Sequence, residues 1–249
     1  VSRKNLPLGV MVVDFLNMTR QGEMDLDTKR WPDAAAMNRE LHALGVDSLL
    51  SVWPHYSPDA QFCDMLQSKG WLIKTPDGEP DPGGFKDVIG PNIDTTNPEA
   101  ARWFWEEIRD HYIKPYGFDY IWLDETEPDI DPARDVFYVG SGTRYYNVYP
   151  LFHTASVYEG SRRDFGDSRR VMILARAALA RRAAQRNRLL VRRRSIHLGH
   201  AEALDSGRIE SYGQWNALLG HRHRRLRFAE DSCRLPCRAH AAYRRLRCA

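Results

Sequence analysis

Four carboxylates, Asp124, Glu125, Glu127 and Asp129, crowd behind a mostly apolar and aromatic run at residues 118 to 123, and Pro128 closes the group. A run of that length and content reads as a buried strand that delivers acids to a loop. In barrels and open sheets of parallel strands, working groups sit at the carboxyl ends of strands. Asp124 therefore stands where such an enzyme keeps the carboxylate that performs displacement or proton transfer. An Asp at a strand end can equally cap or solvate a loop. Trp122 two positions earlier and Glu127 three positions later favour the functional reading.

The same design recurs along the chain. Residues 6 to 14 form a Val-rich run ending on Asp14, and 46 to 53 form another ending on Trp53, with Pro54, His55 and Tyr56 behind it. Residues 171 to 176 form a third, ending on Arg176. At such ends Asp14 is a working acid or a strand-end cap, and Trp53 a stacking platform for a pyranose or a core residue. Arg176 either pairs with loop acids or, where it meets Asp124, favours its ionised form. His55 fits a hydrogen-bonded loop histidine better than a catalyst.

The string Trp-Leu-Asp-Glu-Thr-Glu-Pro at 122 to 128 resembles the nucleophile motif of glycoside hydrolase family 31, most closely its α-xylosidase-like branch. Trp31-Pro32-Asp33 before a helix, and Asp94-Thr95-Thr96-Asn97-Pro98 before the helix that leads to the nucleophile strand, resemble the same family. The resemblance covers about residues 6 to 178. It implies retaining hydrolysis of terminal α-xylosides or α-glucosides of oligosaccharides, with Asp124 as nucleophile. Asp14, Trp53, Trp122 and Arg176 would then line the sugar pocket, and Glu127 would orient the loop. It implies no metal or organic cofactor.

The intervening elements fit strand and helix alternation. A helix is expected over 34 to 44 with Asp33 as cap, a shorter one over 58 to 69, and a short strand over 71 to 74. Residues 76 to 91 read as a loop excursion. A long helix follows from Pro98 to about Ile113, capped by Asn97, and an aromatic-rich one spans 144 to 159. The fold class expected is α/β, a partial (β/α)8 barrel over residues 1 to 178.

Residues 179 to 249 are chemically different. They carry seventeen Arg, no Lys and five acids, a balance of +12 that leaves −9 for residues 1 to 178 out of a total of +3. An Arg-rich segment can neutralise phosphates, so a nucleic-acid-binding protein is one alternative and a non-catalytic carbohydrate-binding remnant another. Shifted translation accounts for the composition better. One base over, residues 190 to 194 can be re-read as Trp-Ser-Gly-Asp-Val, which resembles the family's acid/base motif. Residues 218 to 226 likewise re-read as Tyr-Trp-Gly-Thr-Asp-Ile-Gly-Gly-Phe. A frame change near Ala178 is therefore expected, with a disordered tail and no nucleic-acid partner. Cys63, Cys233, Cys237 and Cys248 make neither a disulfide framework nor a convincing zinc site. No apolar run reaches membrane-spanning length, and the opening residues lack both an initiator Met and a signal-peptide core, which reads as an excised piece.

Overall fold

The computed structural model describes residues 7–15, 17–83 and 90–175, and the backbone of 188–190. All of these fall within the compact unit Val1–Trp215, and none of Asn216–Ala249 is described. Five strands, β1 (Val10–Val13), β2 (Asp47–Val52), β3 (Tyr120–Leu123), β6 (Met172–Ala175) and β7 (Arg188–Leu190), form one sheet in the order β1-β2-β3-β6-β7. Every pairing in it is parallel. Parallel neighbours need crossover connections, which helices supply between β1 and β2, β2 and β3, and β3 and β6. The antiparallel hairpin of β4 (Val136–Phe137) and β5 (Gly140–Ser141) stands apart from this sheet.

Local chemistry sets the helix boundaries. Asp33 caps α1 (Ala34–Ala43), its carboxylate accepting the Ala36 N–H at 2.7 Å. Asn97 caps α3 (Pro98–Ile108) by accepting the Glu99 N–H at 2.9 Å, with Pro98 in the first turn where a missing donor costs nothing. The helix continues as a π turn, Arg109–Ile113, into α4 (Lys114–Tyr116), and Gly117 at φ 77 ends it in a left-handed conformation.

Three expectations need correction. The helix over 58 to 69 contracts to α2 (Cys63–Ser68), because 58 to 62 fold as turns. Residues 71 to 74 make only isolated bridges, Leu72 to Ile93 and Lys74 to both Pro80 and Val136, so they tie loops together and add no strand to the sheet. The helix over 144 to 159 divides into α5 (Gly142–Tyr145), a 3-10 turn and α6 (Tyr149–Phe165), with Pro150 in the first turn of α6. Beyond β6, β7 adds one more parallel strand within the Arg-rich segment. The rest of residues 179 to 249, and the frame change near Ala178, lie outside the described residues.

The main core fills the side of the sheet that faces the helices: Val13, Leu50, Val52, Ile121, Leu123 and Ile173 meet Phe104, Trp105, Ile108 and Val157. Helices α3 and α6 pack closely because Gly160 has no side chain; a Cβ there would lie 2.2 Å from the Trp105 ring. Asp164 of α6 accepts hydrogen bonds from Trp105 Nε1 at 2.7 Å and Arg109 Nη1 at 2.6 Å. Arg163 first of all, with help from Trp105 and Arg109, holds the Asp164 carboxyl well below the usual carboxylate range. No helix among the described residues is long and apolar enough to cross a membrane.

Asp164→Ala is expected to lower the unfolding free energy at pH 7 by about 1.5–3 kcal/mol, the usual worth of hydrogen bonds to a charged group. A depressed carboxylate contributes stability that is present above the ordinary Asp value of about 4 and is lost as pH falls below it. Urea titrations should therefore show the gap between Asp164→Ala and the parent chain narrowing at about pH 3. A gap of equal size at both pH values would contradict the assignment.

Candidate active site

Side chains alternate along a strand, so one face of the sheet carries Leu49, Ser51 and, next in line, Trp53 from β2. The same face takes Tyr120, Trp122 and then Asp124 from β3, and Met172 and Leu174 from β6. Register places Ser51 beside Trp122 and Trp122 beside Leu174. The ladder continues one residue past β3, because the Asp124 N–H donates to the Val52 carbonyl at 3.1 Å. Asp124 is thereby fixed at the carboxyl end of β3 beside Trp53, buried to 6% exposure. Leu123 pairs with Ala175, and Arg176, the following residue, lies outside the described residues.

Asp14 follows β1 directly and is exposed, its Oδ1 accepting the Phe15 N–H at 2.7 Å. Buried Asn17 secures the turn behind it: its side-chain amide donates to the Ser51 carbonyl at 2.8 Å and to the Asp14 carbonyl at 3.2 Å. Phe15 stacks on Trp53 with ring centroids 4.3 Å apart and planes 24° from parallel. Trp53 is itself buried to 6% exposure, so protein covers its ring. Trp122, at 2% exposure, packs with Leu49 and Leu174 and makes the floor beneath Asp124.

The segment after Asp124 turns at once. Glu125 has φ 50, and Glu125 and Thr126 are buried. The Thr126 hydroxyl donates to Glu127 Oε2 at 3.3 Å, so Glu127 is held within the loop three residues beyond Asp124. Farther along, Arg134 bonds Asp81 and, at 2.7 Å, Asp135, joining this loop to the segment before α3. Burial, opposed by Gly83 and reinforced by Asp135, raises the Asp81 carboxyl. Asp94 bonds Thr96 and the Tyr138 N–H, which fastens the β4–β5 hairpin near the start of α3. Burial raises its carboxyl too.

Trp53, Trp122 and Asp124 therefore share one end of one sheet face, with Asp14 exposed just past the end of neighbouring β1 and Glu127 in the loop behind β3. His55 is fully buried, its Nδ1 3.4 Å from the Gly90 carbonyl. Phe15, Asn17 and the backbone of Glu125 escaped the reading of the sequence. Phe15 directly behind a strand-ending Asp was the one available signal. Among the described residues no group of three or more His, Cys, Asp or Glu could hold a metal ion.

The family model of the glycosyl hydrolases family 31 TIM-barrel domain matches residues 1–186. An uncharacterized family 31 glucosidase of Pseudescherichia vulneris is 34% identical over 167 residues, covering 64% of this chain and 30% of its own length. An α-xylosidase of Saccharolobus solfataricus is 31% identical over 187 residues, covering 71% of this chain and 23% of its own. A crystal structure of a family 31 α-xylosidase from a soil metagenome, complexed with xylose, superposes with a TM-score of 0.67 at 30% identity, over 76% of this chain and 28% of that one. The chain thus spans less than a third of the length of these relatives, and within that span its parallel sheet and matched sequence place it in glycoside hydrolase family 31.

Proposed function

We propose that this chain carries the nucleophile side of a retaining α-glycosidase acting on terminal α-xylosides or α-glucosides of oligosaccharides. The observation that carries the reading is the convergence of Asp124 with Asp14, Trp53 and Trp122 at the carboxyl ends of neighbouring parallel strands. It is supported by the kinship to enzymes named α-xylosidase and glucosidase.

Asp124 attacks the anomeric carbon and forms a glycosyl ester, while a second carboxylic acid protonates the departing oxygen. That second group, now a carboxylate, then takes a proton from the water that opens the ester. Asp14, exposed behind β1, binds sugar hydroxyls in this reading, and Arg176, next after β6 in the sequence, would favour ionised Asp124. Glu127 orients the loop and does no bond chemistry. The sequence of steps needs carboxylates and water alone.

In a retaining enzyme the two carboxyl groups stand about 5–5.5 Å apart. The acid partner corresponds to the re-read string over Arg193 and Arg194, so the chain as written lacks it. Acid catalysis of this kind contributes roughly two to four orders of magnitude.

In a frame-restored, full-length protein, Asp124→Ala should abolish turnover, and a mechanism-based glycosyl fluoride should label the peptide containing Asp124. Labelling of Glu127 instead would reverse the roles. The purified 249-residue chain should release no 4-nitrophenol from the α-xyloside or α-glucoside. Asp124-dependent release by it would show that the proton donor lies within residues 1 to 178.

A further inference from the structure

We infer that Glu125 is a positioning residue for the nucleophile, acting through its backbone, an inference that rests on the assignment of Asp124 above. Among the described residues Glu125 is the non-glycine residue with positive φ, at 50°. Left-handed backbone is disfavoured for long side chains because Cβ crowds the carbonyl oxygen, and Asn, Asp and Gly take it most readily. It persists where surrounding structure leaves no alternative, and such places cluster at active sites.

The surroundings here are specific. Asp124, one residue past β3, still donates into the ladder, to Val52 at 3.1 Å, and Glu125 follows with only 3% exposure. Thr126, next, is fully buried. The turn is thus packed inside the protein, where solvent cannot loosen it. Had residue 125 stayed extended, the strand would run on, and residue 126 would share the face of Asp124 one pleat farther out. The left-handed step ends the strand immediately behind the carboxylate. Asp124 is left on the rim with its backbone tied on one side by Val52 and bent away on the other. A glycine could make the same turn, but with more freedom; the buried Glu makes it rigid.

Substitutions at position 125 separate backbone from side chain. In the 249-residue chain, Glu125→Gly should unfold at higher urea than Glu125→Ala, the reverse of the order at an ordinary φ. In the frame-restored enzyme, Glu125→Val, β-branched and least tolerant of this turn, should lower kcat on the 4-nitrophenyl glycoside by about 100-fold, as small misplacements of reacting groups do. Its KM should stay within a few-fold of the parent. Glu125→Gly and Glu125→Asn should keep kcat at least tenfold above Glu125→Val. Equal kcat across the series, or Gly as slow as Val, would overturn the inference, the latter by assigning the role to the carboxylate. A parent enzyme that hydrolyses neither glycoside would sink the functional reading instead, and the urea order would still decide whether the turn is held as inferred.

Discussion

The bond from the Asp124 N–H to the Val52 carbonyl is the contact on which the candidate site depends. It prolongs the β2–β3 ladder one residue past Leu123, the last residue of β3, so Asp124 is set by sheet geometry as well as by its loop. Parallel ladders are regular, and a carboxylate placed by one inherits its register. Ser51 stands beside Trp122, Val52 beside Leu123, and Trp53 therefore beside Asp124. A loop alone could not hold an acid within the fraction of an ångström that displacement demands.

Alternation along the strands then divides labour between the two faces. Leu50, Val52, Ile121 and Ile173 point to the helices and join the main core. Leu49, Trp122 and Leu174 point the other way and form a smaller apolar layer. That layer ends on Asp124. A one-residue slip would exchange the faces and send Asp124 under the helices, so burial of the outer residues enforces the position of the proposed nucleophile. Stability and chemistry are thus coupled through a period of two.

Much of this arrangement was legible in the sequence because it is locally encoded. Asp33 and Asn97-Pro98 announce their helices by their own side chains, and the Val-rich run before Asp14 and the aromatic run before Asp124 read as strands without any partner. What escaped depends on contacts between distant segments. Residues 71 to 74 have the composition of a strand, but their backbone groups go to Asn92 and to Val136 of the β4–β5 hairpin, partners no local pattern could designate. The Phe15–Trp53 stack joins residues far apart in the chain, and β7 lies in a segment whose Arg density masks any apolar period. The left-handed turn at Glu125 escaped because a Glu carries no signal for it.

One half of the chemistry is fixed within the described sheet, and the other is not. Val52, Trp122 and Glu125 hold Asp124 through the ladder, the floor and the turn, all of which belong to β2, β3 and the residues directly behind them. At the far edge, Met11 and Val12 of β1 remain 41% and 43% exposed, although parallel sheets are ordinarily covered on both faces. The described strands therefore do not close on themselves. In a barrel, tilt and stagger become linked only on closure, and it is closure that sets the distance across the rim from one strand end to another. The proposed nucleophile, Asp124, can be placed by its neighbours alone. A second carboxyl group about 5 Å away on another strand requires the closed ring.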